Sequence, residues 1–144
     1  MHKKGEFIIM ENKVNEAVGY FNEGFNCAQA VVSAYCEQFG LDKDTALKLA
    51  CGFGGGMGRL GEVCGAVSGA YILFGLKYGD DKEKTYSLIQ EFEKKFKERN
   101  KTTICRELLN VDLRTGEKKY AGKRVKEICH VMVKDAAEIV EELL

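Results

Sequence analysis

No proline occurs anywhere in the 144 residues. Proline breaks helices because it lacks the backbone N–H and its ring collides with the preceding turn. A chain without it is free to run as long helices, and apolar residues recur here at helical spacing nearly throughout. Val14, Val18, Phe21 and Phe25 place an amphipathic helix over residues 11–22, ended by Asn22-Glu23-Gly24. Asn26 is the expected N-cap of a second helix reaching Phe39, with Gly40 as its stop and Cys27, Ala30, Val31, Ala34 and Gln38 inward. Asp42 caps a third, short helix to Ala50. Residues 82–100 form a charged helix with Tyr86, Ile89, Phe92 and Phe96 inward. Thr102-Thr103 cap a short helix from Ile104 to Leu109. A last helix over 123–143 aligns Val125, Ile128, Cys129, Met132, Ala136, Ile139, Val140 and Leu143. No strand alternation and no repeat is visible. The expectation is an all-α bundle of five or six helices, with residues 10–144 one domain and residues 1–9 a disordered extension.

Between the third and fourth long helices lies Gly52-Phe53-Gly54-Gly55-Gly56-Met57-Gly58-Arg59-Leu60-Gly61, in which six of ten residues are glycine. Its Gly56 to Gly61 portion matches G-x-G-x-x-G, but a helix precedes it where a dinucleotide fingerprint needs a strand. The loop instead reads as a nest of free N–H groups beside a helix N-terminus, which favours an anion. Gly56, Gly58, Gly61 and Gly65 are the candidate residues of that nest, and the nearest candidate anion is the thiolate of Cys64. The following helix, Glu62 to Tyr78, is apolar nearly all round and is therefore expected to be surrounded by others. Gly61, Gly65 and Gly69, spaced by four beside Ala66 and Ala70, mark close backbone packing. A homodimer through the same stripe is the alternative use.

Charge narrows the function classes. Lysine and arginine number 22, as do aspartate and glutamate, so no basic excess exists to neutralise nucleic-acid phosphates. The stretch Phe7-Ile8-Ile9-Met10 is too short for a secretory core, and no segment reaches the ~20 apolar residues of a membrane span. The expected setting is the cytoplasm, without membrane insertion, where thiols are kept reduced.

Six cysteines remain to be explained. Cys27, Cys64 and Cys105 each fall at an expected helix N-terminus, where the dipole and unpaired amides stabilise a thiolate. Cys129 sits on the apolar stripe of the last helix, Cys36 flanks that of the second, and Cys51 ends the third. A buried cysteine more often serves as a small hydrophobe. There is no C-x-x-C, so neither a thioredoxin-type pair nor a zinc ribbon is indicated. His130 is about 100° around the helix from Cys129 and is expected to point elsewhere.

Cys64-Gly65-Ala66-Val67-Ser68-Gly69, with Phe25-Asn26-Cys27-Ala28-Gln29-Ala30-Val31 upstream and Cys105 and Cys129 following, resembles the redox-active family named for its cysteine pattern, C_GCAxxG_C_C. The resemblance covers roughly Met10 to the C-terminus. It implies a four-cysteine site of Cys27, Cys64, Cys105 and Cys129, and an unidentified redox partner or a transporter-associated protein. Four such thiolates bind a metal, as zinc or an iron–sulfur cluster, or cycle between dithiol and disulfide. For disulfide cycling Cys64 is the expected attacking thiol, with Cys27 or Cys105 as its partner. Cys36 and Cys51 lie outside the pattern. The competing class is a non-enzymatic helical interaction module in which the cysteines are filler.

Overall fold

The computed structural model describes residues 4–114 and 118–144. Among them are six helices of nine residues or more: α1 (Lys4–Asn22), α2 (Cys27–Tyr35), α3 (Lys43–Cys51), α5 (Gly65–Tyr78), α6 (Lys82–Asn100) and α8 (Lys118–Leu143). Two short turns, α4 (Gly54–Met57) and α7 (Cys105–Leu109), and a 3-10 turn η1 (Cys36–Phe39) join them. The all-α bundle is as expected. Helix α1 begins at Lys4 rather than at residue 11, and residues 1–3 of the expected extension lie outside the described residues. So do residues 115–117, before α8, which starts five residues earlier than expected.

The caps read from the sequence are present. The Asn26 side chain accepts from the Gln29 N–H at 2.9 Å, and Gln29 returns a bond to the Asn26 N–H at 3.0 Å. This reciprocal box satisfies two amides that a helix start otherwise leaves open, a contribution of about 1 kcal/mol. Asp42 accepts from Thr45 at 3.0 Å to begin α3. Gly40, at φ 83°, ends η1.

Helix α2 is buried along nearly its whole length, against α1, α3, α5 and α8. The main core holds Tyr35, Leu73, Phe74, Phe92, Phe96 and Ile139, all fully buried. Phe92 meets Tyr71 and Phe74 edge-on, with ring centroids 5.6 and 5.9 Å apart. A smaller cluster of Ala28, Val32, Cys36, Ala46 and Ala50 seals α2 against α3.

Two residues expected inside are exposed, Gln38 and Tyr86. The chain tightens into η1 after Tyr35, and the 3-10 turn advances about 120° per residue rather than 100°, so Gln38 leaves the stripe. On α6 the buried line runs through Phe92 and Phe96. Tyr86 is six residues before Phe92, about 120° away around the helix.

The helix after the glycine loop starts at Gly65, not Glu62. Residues 62–64 are extended instead. Val63 pairs antiparallel with Ile104, the Cys64 N–H donates to the Thr103 carbonyl at 2.8 Å, and the Cys105 N–H donates to the Glu62 carbonyl at 2.6 Å. This backbone clasp brings the starts of α5 and α7 side by side.

A candidate cysteine site at converging helix starts

Three of the cysteines owe their placement to backbone features already described. Cys27 is the first residue of α2, held by the Asn26 cap. Cys64 is the N-cap of α5, so the expectation that it lies within the helix is corrected. Cys105 is the first residue of α7, tied to Cys64 by the Val63–Ile104 clasp. Cys129 comes from the middle of α8. All four line one cavity of about 810 Å³, and all are free thiols. Cys51 and His130 line it as well. His130 was expected to point away. The cavity is wide enough that two adjacent α8 residues, 100° apart, both border it.

The glycines explain how the sulfurs come so close to backbone. A Cβ on Gly65 would stand 2.5 Å from the Cys27 sulfur and 2.9 Å from the Phe53 carbonyl oxygen. A Cβ on Gly56 would stand 2.7 Å from Cys105 Cβ, at a φ of 67° that disfavours any side chain. The small stripe is consumed inside the chain, because Gly65 and Gly69 abut Ala28 and Val31 of α2. Of the other nest glycines, Gly61 faces Arg106, and Gly58 has nothing within 4 Å of its Cβ direction.

The sulfurs differ sharply in acidity. Cys27 is lowered from an ordinary 9.0 to about 7. The largest cause is the Cys64 S–H, which donates to the Cys27 sulfur; burial opposes it, and the N–H groups of Gly55, Ala28 and Ala66 add to it. Those three amides come from the glycine loop and the first turns of α2 and α5, where helical N–H groups have no partner of their own. Of these, the Ala66 N–H acts on Cys64 as well, and none of the three is a glycine expected to form the nest (Gly56, Gly58, Gly61 or Gly65). Cys64 is raised well above its ordinary value, chiefly because its proton is held against the Cys27 thiolate, then by burial. Burial also pushes Cys105 up to about 11 and Cys129 up to about 12, with the Cys27 charge as the next cause in each. Helix position was therefore not enough for Cys105: α7 is a single turn and its dipole does not offset desolvation.

Chemically, the arrangement is four free thiols on one cavity, with Cys27 lowered in pKa and Cys64, Cys105 and Cys129 raised. Among the described residues no three histidine, cysteine, aspartate or glutamate side chains are grouped to hold a metal ion. Among the described residues, too, no helix is long and apolar enough to cross a membrane. Cys36 is elsewhere, in the α2–α3 cluster.

A family model described as "Putative redox-active protein (C_GCAxxG_C_C)" matches residues 25–143. No curated protein and no solved structure matches the chain.

Proposed function

This chain belongs to the C_GCAxxG_C_C family of redox-active proteins, and we propose that it works by thiol–disulfide exchange through Cys27 and Cys64. One observation carries this reading: Cys27 and Cys64, brought from the starts of two helices, line one cavity as free thiols, and Cys64 is the largest cause of the lowered Cys27 pKa. A thiol held near pKa 7 is about half thiolate at neutral pH, against about 1% for an ordinary one, and the thiolate is the nucleophile. Cys27, not Cys64, is then the attacking group.

In the proposed step the Cys27 thiolate attacks one sulfur of a disulfide R–S–S–R. A Cys27–SR bond forms, the S–S bond breaks, and the expelled RS⁻ takes a proton. Cys27 no longer carries charge at that point, which removes the main cause of the high Cys64 pKa. Cys64 loses its proton to the medium and attacks the Cys27 sulfur, expelling the second RS⁻, which is protonated in turn. Two protein thiols are oxidised to one disulfide and R–S–S–R is reduced to two thiols. A cytoplasmic setting, where a dithiol is regenerated, suits this cycle.

The second reading is a cysteine-ligated centre, favoured by Cys105 and Cys129 facing the same cavity. An iron–sulfur cluster, bound by four cysteines, is the form this reading takes, with Cys27, Cys64, Cys105 and Cys129 as ligands.

Purification under argon, followed by a mild dithiol oxidant, separates the two. The expected result is one Cys27–Cys64 disulfide per chain by peptide mass spectrometry, with no stoichiometric metal. Iron in stoichiometric amount with visible charge-transfer absorbance would favour the cluster. Cys27 and Cys64 both still free after oxidation, in metal-free protein, would end the exchange reading.

A further inference from the structure

The location of the two sulfurs limits what they can react with, given the reading of Cys27 and Cys64 as a working dithiol. Cys27, Cys64 and Cys105 are only 7%, 5% and 6% exposed, on the wall of the 810 Å³ cavity. Exchange requires the attacking sulfur to reach a disulfide sulfur directly. A disulfide on the surface of a folded protein would be held off by the cavity walls. A free small molecule reaches the sulfurs, and the volume falls within the ~300–1,000 Å³ of small-molecule sites.

Two features discriminate among small molecules. The lining is largely apolar: Leu109 and Met132 are buried in it, with Phe21, Phe25 and Leu108 half-buried beside them. Charge enters through the exposed Arg59 and Lys126, against one carboxylate, Glu127. Arg59 holds a left-handed backbone, φ 67°, which non-glycine residues adopt at a cost. Its side-chain stem lies over Gly55, so that a Cβ on Gly55 would stand 2.9 Å from Arg59 Cγ. Gly55 is also the loop residue whose N–H reaches the Cys27 sulfur. One residue of the loop thus carries the cation on one side and the nucleophile on the other.

We propose that the substrate of the Cys27–Cys64 pair is a small organic disulfide with an apolar body and a terminal carboxylate, bound with its sulfurs inward and its acid toward Arg59. Its reduction yields two thiol acids while the pair becomes a disulfide. The partner is then a metabolite-sized molecule rather than a protein.

The reduced full chain is mixed separately with dithiodibutyrate, its uncharged bis-amide, oxidised glutathione and disulfide-bonded insulin. Closure of Cys27–Cys64 is followed by alkylation and mass spectrometry, with diazenedicarboxamide as a general dithiol oxidant. Dithiodibutyrate is expected to close the pair about fivefold faster than its bis-amide, the size of one solvent-exposed ion pair. Both are expected to outpace oxidised glutathione and insulin. Arg59→Gln is expected to remove the acid's advantage without slowing the bis-amide, and Arg59→Lys to restore part of it. A loss of fold would change the bis-amide rate as well. Insulin or oxidised glutathione reacting as fast as dithiodibutyrate overturns the proposal, as does equality of acid and bis-amide in the unaltered chain. If the general oxidant fails to close the pair, the dithiol reading itself falls; a pair closed by that oxidant but indifferent to the acid refutes the substrate class alone.

Discussion

The two ends of α2 each carry a buried cysteine, and they are chemical opposites. Cys27, at the start, is lowered to about 7, chiefly by Cys64 and then by N–H groups from three segments. Cys36, just past the end, is raised, first by burial and then by the charge of Glu37. Its S–H donates to the Ser33 carbonyl at 3.7 Å, and Ala28, Val32, Ala46 and Ala50 surround it. Both are removed from water, so burial is not what separates them. The difference lies in what each sulfur meets: Cys27 has the Cys64 S–H and the N–H groups of helix starts, whereas at Cys36 burial outweighs the backbone N–H groups beside it. Cysteine as a small hydrophobe describes Cys36 well and Cys27 not at all.

The comparison breaks most directly on reactivity. In the reduced chain at pH 7, iodoacetamide is expected to label Cys27 at least about fiftyfold faster than Cys36, from their thiolate fractions alone. The rate at Cys27 is expected to rise with pH through a midpoint near 7. Peptide-resolved labelling with equal rates at the two sites would remove the distinction.

The next effect is structural. Gly65→Ala puts a methyl group against the Cys27 sulfur and the Phe53 carbonyl, and the latter belongs to the backbone. We expect a loss of about 2–3 kcal/mol, in the range of core overpacking, measured by urea unfolding. The surviving folded protein should label Cys27 more slowly, since the sulfur is pushed off the Ala66 amide of α5. Unchanged labelling would mean that amide does not set its acidity.

How much of this was legible in the sequence depends on whether local rules govern it. The start of α2 was, because Asn26 acts on its own neighbours, and Gly40 does end the stretch; the tightening into η1 after Tyr35 was not legible. The four cysteines of the cavity were legible only as a pattern, Cys64-Gly65-Ala66 with its flanking cysteines, and not as a geometry. Cys64 was expected inside its helix because periodicity was read through residues 62–64. The pairing of residues 62–64 with 103–105 is a contact across some forty residues, and no periodicity announces it. Cys105 was misjudged for a related reason: its pKa follows burial, which depends on how α7 meets α4 and α8. His130 and Arg59 carry no local signal that they border a cavity.

Acidity at Cys27 also couples to folding. Its folded-state pKa of about 7 lies below the ordinary 9.0, so between these values the unfolded chain holds a proton that the folded chain has released. Stability therefore rises from pH 7 to 9, by on the order of 2 kcal/mol, and this gain is lost as pH falls through 7. Above 9 the sign reverses, because Cys64, Cys105 and Cys129 keep protons in the fold that the unfolded chain gives up. The difference in urea stability between the unaltered chain and Cys27→Ser, taken across pH 6 to 9, isolates the rising limb. A flat difference would place the folded pKa of Cys27 near its ordinary value.

The smallest effect is the one that tests whether the two ends are independent. Cys36→Ala removes one sulfur from the α2–α3 cluster, where the neighbours are themselves mostly alanines and close over little space. The loss should be about 1 kcal/mol, comparable with deleting one buried methyl-sized group. Nine residues at 1.5 Å rise put Cys36 about 13 Å from Cys27, beyond the ~7–10 Å within which substitutions usually couple. The Cys27 labelling rate and its midpoint should therefore match those of the unaltered chain within about twofold. A larger change would mean that α2 transmits packing at its end to the amides at its start, and the reactivity of Cys27 would then belong to the whole helix rather than to the three N–H groups around its sulfur.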